Sequence, residues 1–167
     1  MNKKLTATEI LDIIQKHYGV DAFAYGYWTE LENEIEGFEF SPQLLEDERK
    51  QNEAYEALSF HPDRHKYPQT EECEKLYNVW SDMYQKHNIN SRKKQEILNH
   101  LGLGRVEEID QYGGEGQGSK WYSVKHFVDH DVYIKTKGYY QSYSGTEFYD
   151  GYGHEVKPQT KTITVFE

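Results

Sequence analysis

The residues best equipped for chemistry cluster in the last third of the chain. His126, Asp129, His130 and Asp131 fall within six positions and carry two imidazoles and two carboxylates, donor types that hold divalent metals. Their spacing matches no standard site, and strand alternation would send His126 and Asp131 to opposite faces of a tight hairpin. The expectation is a polar turn that bonds its own backbone, with a metal-dependent enzyme as the competing reading.

Just upstream, Gly113-Gly114-Glu115-Gly116-Gln117-Gly118-Ser119 has the composition of a phosphate-cradling loop. Neither Lys-Ser nor Lys-Thr follows Gly118, and a strand rather than a helix is expected from Trp121, so no helix N-terminus is offered to a phosphate. A connection or bulge is the plain reading; a loop closing on a ligand is the alternative. In that alternative Gly114, Gly116, Gly118, Lys120 and Trp121 flank a small ligand or nucleotide. Tyr139, Tyr140 and Tyr143 then stack on its base, while Lys120, Lys125, Lys135 and Lys137 neutralise its phosphates.

No GxSxG, HExxH or paired HxT pattern occurs, so no catalytic residue and no cofactor is assigned, and a non-enzymatic protein is expected. The single cysteine, Cys73, rules out an internal disulfide and a cysteine-based zinc site. In a helix it reads as a small packing residue.

Charge is the other chemical feature. The chain has 19 basic and 29 acidic residues, a formal charge of -10, which argues against direct nucleic-acid binding. Glu30, Glu32, Glu34, Glu36, Glu39, Glu46, Asp47, Glu48, Glu53 and Glu56 stand against only Arg49 and Lys50 in their stretch. Such a run is either a solvated helix face or a negative patch. As a patch, Glu30, Glu32, Glu34, Glu36, Glu46, Asp47, Glu48, Glu53 and Glu56 would dock on a partner with a basic surface, imitating nucleic acid.

The elements that must position these groups follow from periodicity. Thr6 and Glu9 have capping-box spacing before a helix over 8–18, which Gly19 should stop. Phe23, Tyr25 and Tyr27 alternate and predict a short strand over 22–28. Ser41-Pro42 opens a helix to Phe60 with Leu44, Leu45, Tyr55 and Leu58 inward; Thr70 caps the next, and the two should pair as a hairpin. Ser91 is expected to cap a further stretch to about Leu101. Strands are expected at 105–110, 121–127, 132–137 and 160–166, with a turn at Asp129-His130. The fold class is α+β: residues 1–40 with an N-terminal helix, 41–101 an acidic helical hairpin, and 102–167 a Tyr- and Gly-rich antiparallel β module. The start of the chain reads as an amphipathic helix rather than a signal peptide or membrane span, so no membrane association is expected.

Two resemblances arise. His61-Pro62-Asp63 between two helices, with Tyr77, Trp80 and Tyr84 on the second, resembles the J-domain signature of Hsp70 co-chaperones. That family docks through a basic helix, whereas Glu46, Asp47, Glu48, Glu53 and Glu56 here reverse the charge. The second is broader. Leu-Gly-Leu-Gly-Arg-Val-Glu-Glu-Ile-Asp (101–110), Tyr-Gly-Gly-Glu-Gly-Gln-Gly-Ser (112–119), Trp-Tyr-Ser-Val-Lys-His-Phe (121–127), Asp-His-Asp-Val-Tyr-Ile-Lys (129–135) and Lys-Thr-Ile-Thr-Val-Phe-Glu (161–167) resemble a family of small tailed-bacteriophage proteins. The likeness covers about residues 101–167 and the opening helix, with the middle hairpin as the variable part, and it brings no catalytic residues. It implies a product of the host bacterial cytoplasm that binds, and inhibits or modulates, a host or antiviral-defence protein.

Overall fold

The computed structural model describes residues 3–30, 35–65, 70–113, 119–141 and 144–160. It is α+β, with helices preceding an antiparallel sheet. The helices are α1 (Ala7–His17), α2 (Val20–Tyr25), α3 (Pro42–Ser59), α4 (Glu71–His87) and α5 (Ile89–His100). The strands are β1 (Val106–Tyr112), β2 (Ser119–Phe127), β3 (Val132–Gln141), β4 (Gly145–Phe148) and β5 (His154–Val156). Two compact units result: residues 1–35 with 98–167, and residues 36–97.

In the first unit, Thr6 caps α1 as its spacing predicts. Its hydroxyl accepts the Glu9 N–H, and the Glu9 carboxylate accepts the Thr6 N–H at 2.8 Å. Residues 22–28 do not form the expected strand. Val20–Tyr25 is a helix, closed by Gly26 at φ 76. The alternation of aromatics misleads because Ala22, Phe23 and Ala24 are all buried, and three consecutive buried positions do not fit one face of a strand. Trp28 completes this corner, meeting Tyr18 and Phe23 edge-on at 5.5 and 5.6 Å and Phe127 at 6.3 Å. The buried Tyr18 hydroxyl donates to the Trp28 carbonyl at 2.8 Å, and burial raises its pKa.

The sheet runs β1-β2-β3-β4, with β5 also on β3. Pairing of β2 with β3 is unbroken from Ser119↔Tyr140 to Phe127↔Val132, so one alternation sets both faces. Trp121, Ser123, Lys125 and Phe127 share the inner face with Val132, Ile134, Thr136 and Gly138, and all eight are buried. A Cβ on Gly138 would lie 2.4 Å from Thr146 Cγ2, so β4 approaches only because that residue is glycine. The short strands β4 and β5 carry no sequence signal strong enough to predict them. Of the expected strand at 160–166, Thr160 lies outside any strand and 161–166 fall outside the described residues.

In the second unit, Ser41 caps α3, Thr70 caps α4, and the two helices pack side by side. Asn88 closes α4 in the left-handed region at φ 41 and α5 starts at once, which places Ser91 inside α5 rather than at its cap. Of the residues expected inward on α3, Leu44 is buried, but Leu45 and Tyr55 are about half exposed, at 47% and 53%. The second buried residue of α3 is Asp47. A carboxylate thus lies buried beside Leu44 on the inner side of α3.

Candidate functional site

The four candidate metal ligands take separate structural tasks. Asp129 Oδ2 accepts the Arg105 N–H at 3.2 Å, and the close approach needs Gly104, where a Cβ would sit 2.0 Å from that oxygen. His130 Nδ1 accepts the Leu5 N–H at 3.1 Å, which leaves the proton on Nε2 to be donated to the Gly102 carbonyl at 2.9 Å. His130 thus ties the N-terminal segment and the α5–β1 turn to the β2–β3 turn, beside a cavity of about 490 Å³. His126 Nε2 lies 3.6 Å from Asp131 Oδ1, on the same side and not opposite it. The reason is Asp131's φ of 58, which breaks strand alternation at the turn. Among the described residues no three metal-binding side chains converge.

The lysines expected to act together are split between the two sheet faces. Lys125 is buried on the inner face, where Nζ donates to the Ala24 carbonyl at 2.6 Å and to Ser123 Oγ at 2.7 Å. Glu108 Oε2 stands 3.5 Å away and the Phe23 ring centroid 5.3 Å away. A satisfied buried ammonium of this kind holds α2 against the sheet and is not available to a phosphate. Trp121, expected beside a ligand, is buried too, between Tyr25 and Phe148 at 5.4 and 5.3 Å. Tyr140 pairs with Thr146 in the β3–β4 ladder. Gly114, Gly116, Gly118 and Tyr143 lie outside the described residues.

On the outer face β2 contributes Lys120, Tyr122, Val124 and His126, and β3 places opposite them Tyr139, Lys137, Lys135 and Tyr133. Aromatic and basic side chains alternate across the strands. Lys135 Nζ sits 3.5 Å over the Tyr122 ring, which lies near-parallel to Tyr112 at 5.9 Å. His126 and Tyr133 stack with centroids 4.0 Å apart. The Tyr122 hydroxyl donates to Asp110 Oδ2 at 3.1 Å, and this bond to the carboxylate raises its pKa.

Four acids of the run, Glu46, Asp47, Glu48 and Glu53, are paired within the second unit. Glu46 bonds Arg49 at 2.8 Å and lies 3.3 Å from Lys50; Glu53 also pairs with Arg49. Glu48 bonds Lys93 at 2.5 Å. Asp47 Oδ2 accepts from Arg92 at 2.7 Å and lies 3.6 Å from His87, while Oδ1 accepts from Gln43 at 2.9 Å; the Arg92 bond holds its pKa below the usual carboxylate value. Glu30, Glu36, Glu39 and Glu56 complete the described part of the run; Glu32 and Glu34 fall outside it.

What the sequence reading did not single out as a surface is aromatic. Trp80 of α4 is met by Tyr55 at 6.0 Å, Tyr77 at 5.8 Å and Tyr84 at 5.5 Å, and the three tyrosines are about half exposed. Leu45, Phe60 and Val79 of the same unit are exposed as well, Phe60 at 82%. The i, i+3, i+7 spacing of Tyr77, Trp80 and Tyr84 puts them on one face of α4, and the structure leaves that face half open. At the turn, His61 Nδ1 accepts the Asp63 N–H at 3.2 Å and lies 3.0 Å from the buried Cys73 Sγ, while Nε2 is 3.6 Å from Glu72. His61 therefore fastens the end of α3 to the first turn of α4.

No family model, no curated protein and no solved structure matches this chain.

Proposed function

We propose that this chain is a non-enzymatic binding protein of the phage accessory type, whose helical unit docks on a host or defence protein. The observation that supports it is the aromatic cluster Tyr55, Tyr77, Trp80 and Tyr84, half open to solvent on paired helices. Tryptophan and tyrosine dominate binding hot spots because they bury a large area with few rotatable bonds. Exposed apolar side chains concentrate here: among the described residues, six of the eleven large ones lie in residues 36–97.

A partner with a basic rim fits this surface, since the unit retains a carboxylate excess beside the aromatics. The contact differs from a plain acidic imitation of nucleic acid, because Glu46, Asp47, Glu48 and Glu53 are already paired with Arg49, Lys50, Arg92 and Lys93. Charge then orients the encounter while the rings supply affinity. The test is affinity capture from host lysate with the wild type and a Trp80→Ala/Tyr84→Ala variant. Capture of the same protein should fall at least tenfold; undiminished capture by the variant rejects the reading.

A second reading has one observation in its favour: His61-Pro62-Asp63 occupies the turn between two paired helices, as in a J-domain. Stimulation of an Hsp70 ATPase that His61→Gln abolishes would establish it, and no stimulation by the wild type would dismiss it.

A further inference from the structure

The register of β2 against β3 gathers six side chains on the outer sheet face: Lys120 beside Tyr139, Tyr122 beside Lys137, and Lys135 beside Val124. Successive rows lie roughly 6.7 Å apart, two residues of strand rise. Lys120 is exposed and Tyr139 is 39% exposed, while Lys135 and Lys137 are half-buried with their stems on the sheet. Among the described residues neither Lys120 nor Lys137 enters an ion pair. Carboxylates bound the patch on both sides: Asp110, engaged by the Tyr122 hydroxyl, on β1, and Glu147, paired with Tyr139, on β4. The positive area is therefore short, about three rows long and two strands wide.

From this juxtaposition we infer that the outer face of β2 and β3 is a nucleotide-binding site, taking a nucleoside polyphosphate with its base on Tyr139 and its phosphates on Lys120, Lys137 and Lys135. The chemistry matches in both halves. A tyrosine ring offers a π surface to any base, and three ammonium groups on three successive rows meet a compact polyanion. The net charge of -10 does not oppose a ligand this small. At 0.1 M salt, charges beyond roughly 10 Å are screened, so the lysines adjoining the phosphates outweigh distant carboxylates. The face differs from the ligand site expected from sequence, since Trp121 and Lys125 point the other way.

The test is titration calorimetry of the full chain with ATP and GTP, and with inorganic tripolyphosphate as a base-free probe. The expected result is nucleotide binding that weakens at least tenfold in Lys120→Glu/Lys137→Glu and at least threefold in Tyr139→Ala, with tripolyphosphate bound more weakly than either nucleotide. Circular dichroism verifies that these surface variants fold, and Trp80→Ala, in the other unit, should bind as the wild type does. No heat with either nucleotide, equal affinity for tripolyphosphate, or binding indifferent to the lysine reversals overturns the inference.

Discussion

Lys125 illustrates how one side chain changes meaning once its face is known. In the sequence it belongs to a set with Lys120, Lys135 and Lys137; in the fold, parity separates it from them and gives its ammonium to the Ala24 carbonyl and Ser123. Lys125→Ala strands those acceptors and Glu108, and should cost about 3 kcal/mol, read as a lower urea midpoint. Lys125→Met keeps the stem against Phe23 and should cost less. Asp47 gives a pH prediction. Its pKa is depressed by Arg92, so the bond stabilises the fold above the unfolded value of about 3.9 and is lost as pH falls through the lower folded value. Wild type should therefore exceed Asp47→Asn in stability at pH 7, and the gap should close on acidification below about pH 4. A gap that does not shrink at all on acidification would show that the carboxylate's charge is not what matters.

Elements with local signals were legible, and those made by tertiary contact were not. Thr6 with Glu9, Ser41 with Pro42, and Thr70 each mark a helix start that the structure has, because capping depends on residues three apart. The helix Val20–Tyr25 was misread because its three buried neighbours answer to Trp28 and the sheet, which no window of sequence contains. For the same reason Leu45 and Tyr55 were expected inward on α3: apolarity is visible in sequence, but which side of a helix finds a partner is not. Ser41 carries a further element-scale contact that capping logic omits. Its N–H and hydroxyl both bond Glu96 of α5, at 2.8 and 2.6 Å. Ser41→Ala should thus cost about 1–2 kcal/mol, the upper part of the capping range, in equilibrium unfolding. A loss below a few tenths would mean the Glu96 bond contributes nothing.

At the scale of the molecule, the chain carries one unit inside another: residues 36–97 interrupt a unit whose core is its own. Tyr18, Phe23, Trp28, Trp121, Phe127 and Ile134 all belong to 1–35 and 98–167 and are buried. Replacing 36–97 by a flexible Gly/Ser linker should leave a cooperatively folding protein with the blue-shifted emission of buried Trp28 and Trp121. Red-shifted emission without a transition would show that the sheet unit depends on the hairpin. The excised protein also separates the two proposed surfaces, since nucleotide binding should survive the loss of the hairpin and partner capture should not. The most direct test of the central claim is quantitative affinity capture comparing wild type, Trp80→Ala/Tyr84→Ala and Lys120→Glu/Lys137→Glu side by side. The account predicts a protein retained by the wild type and the lysine variant and lost from the aromatic variant; retention by the aromatic variant would contradict it.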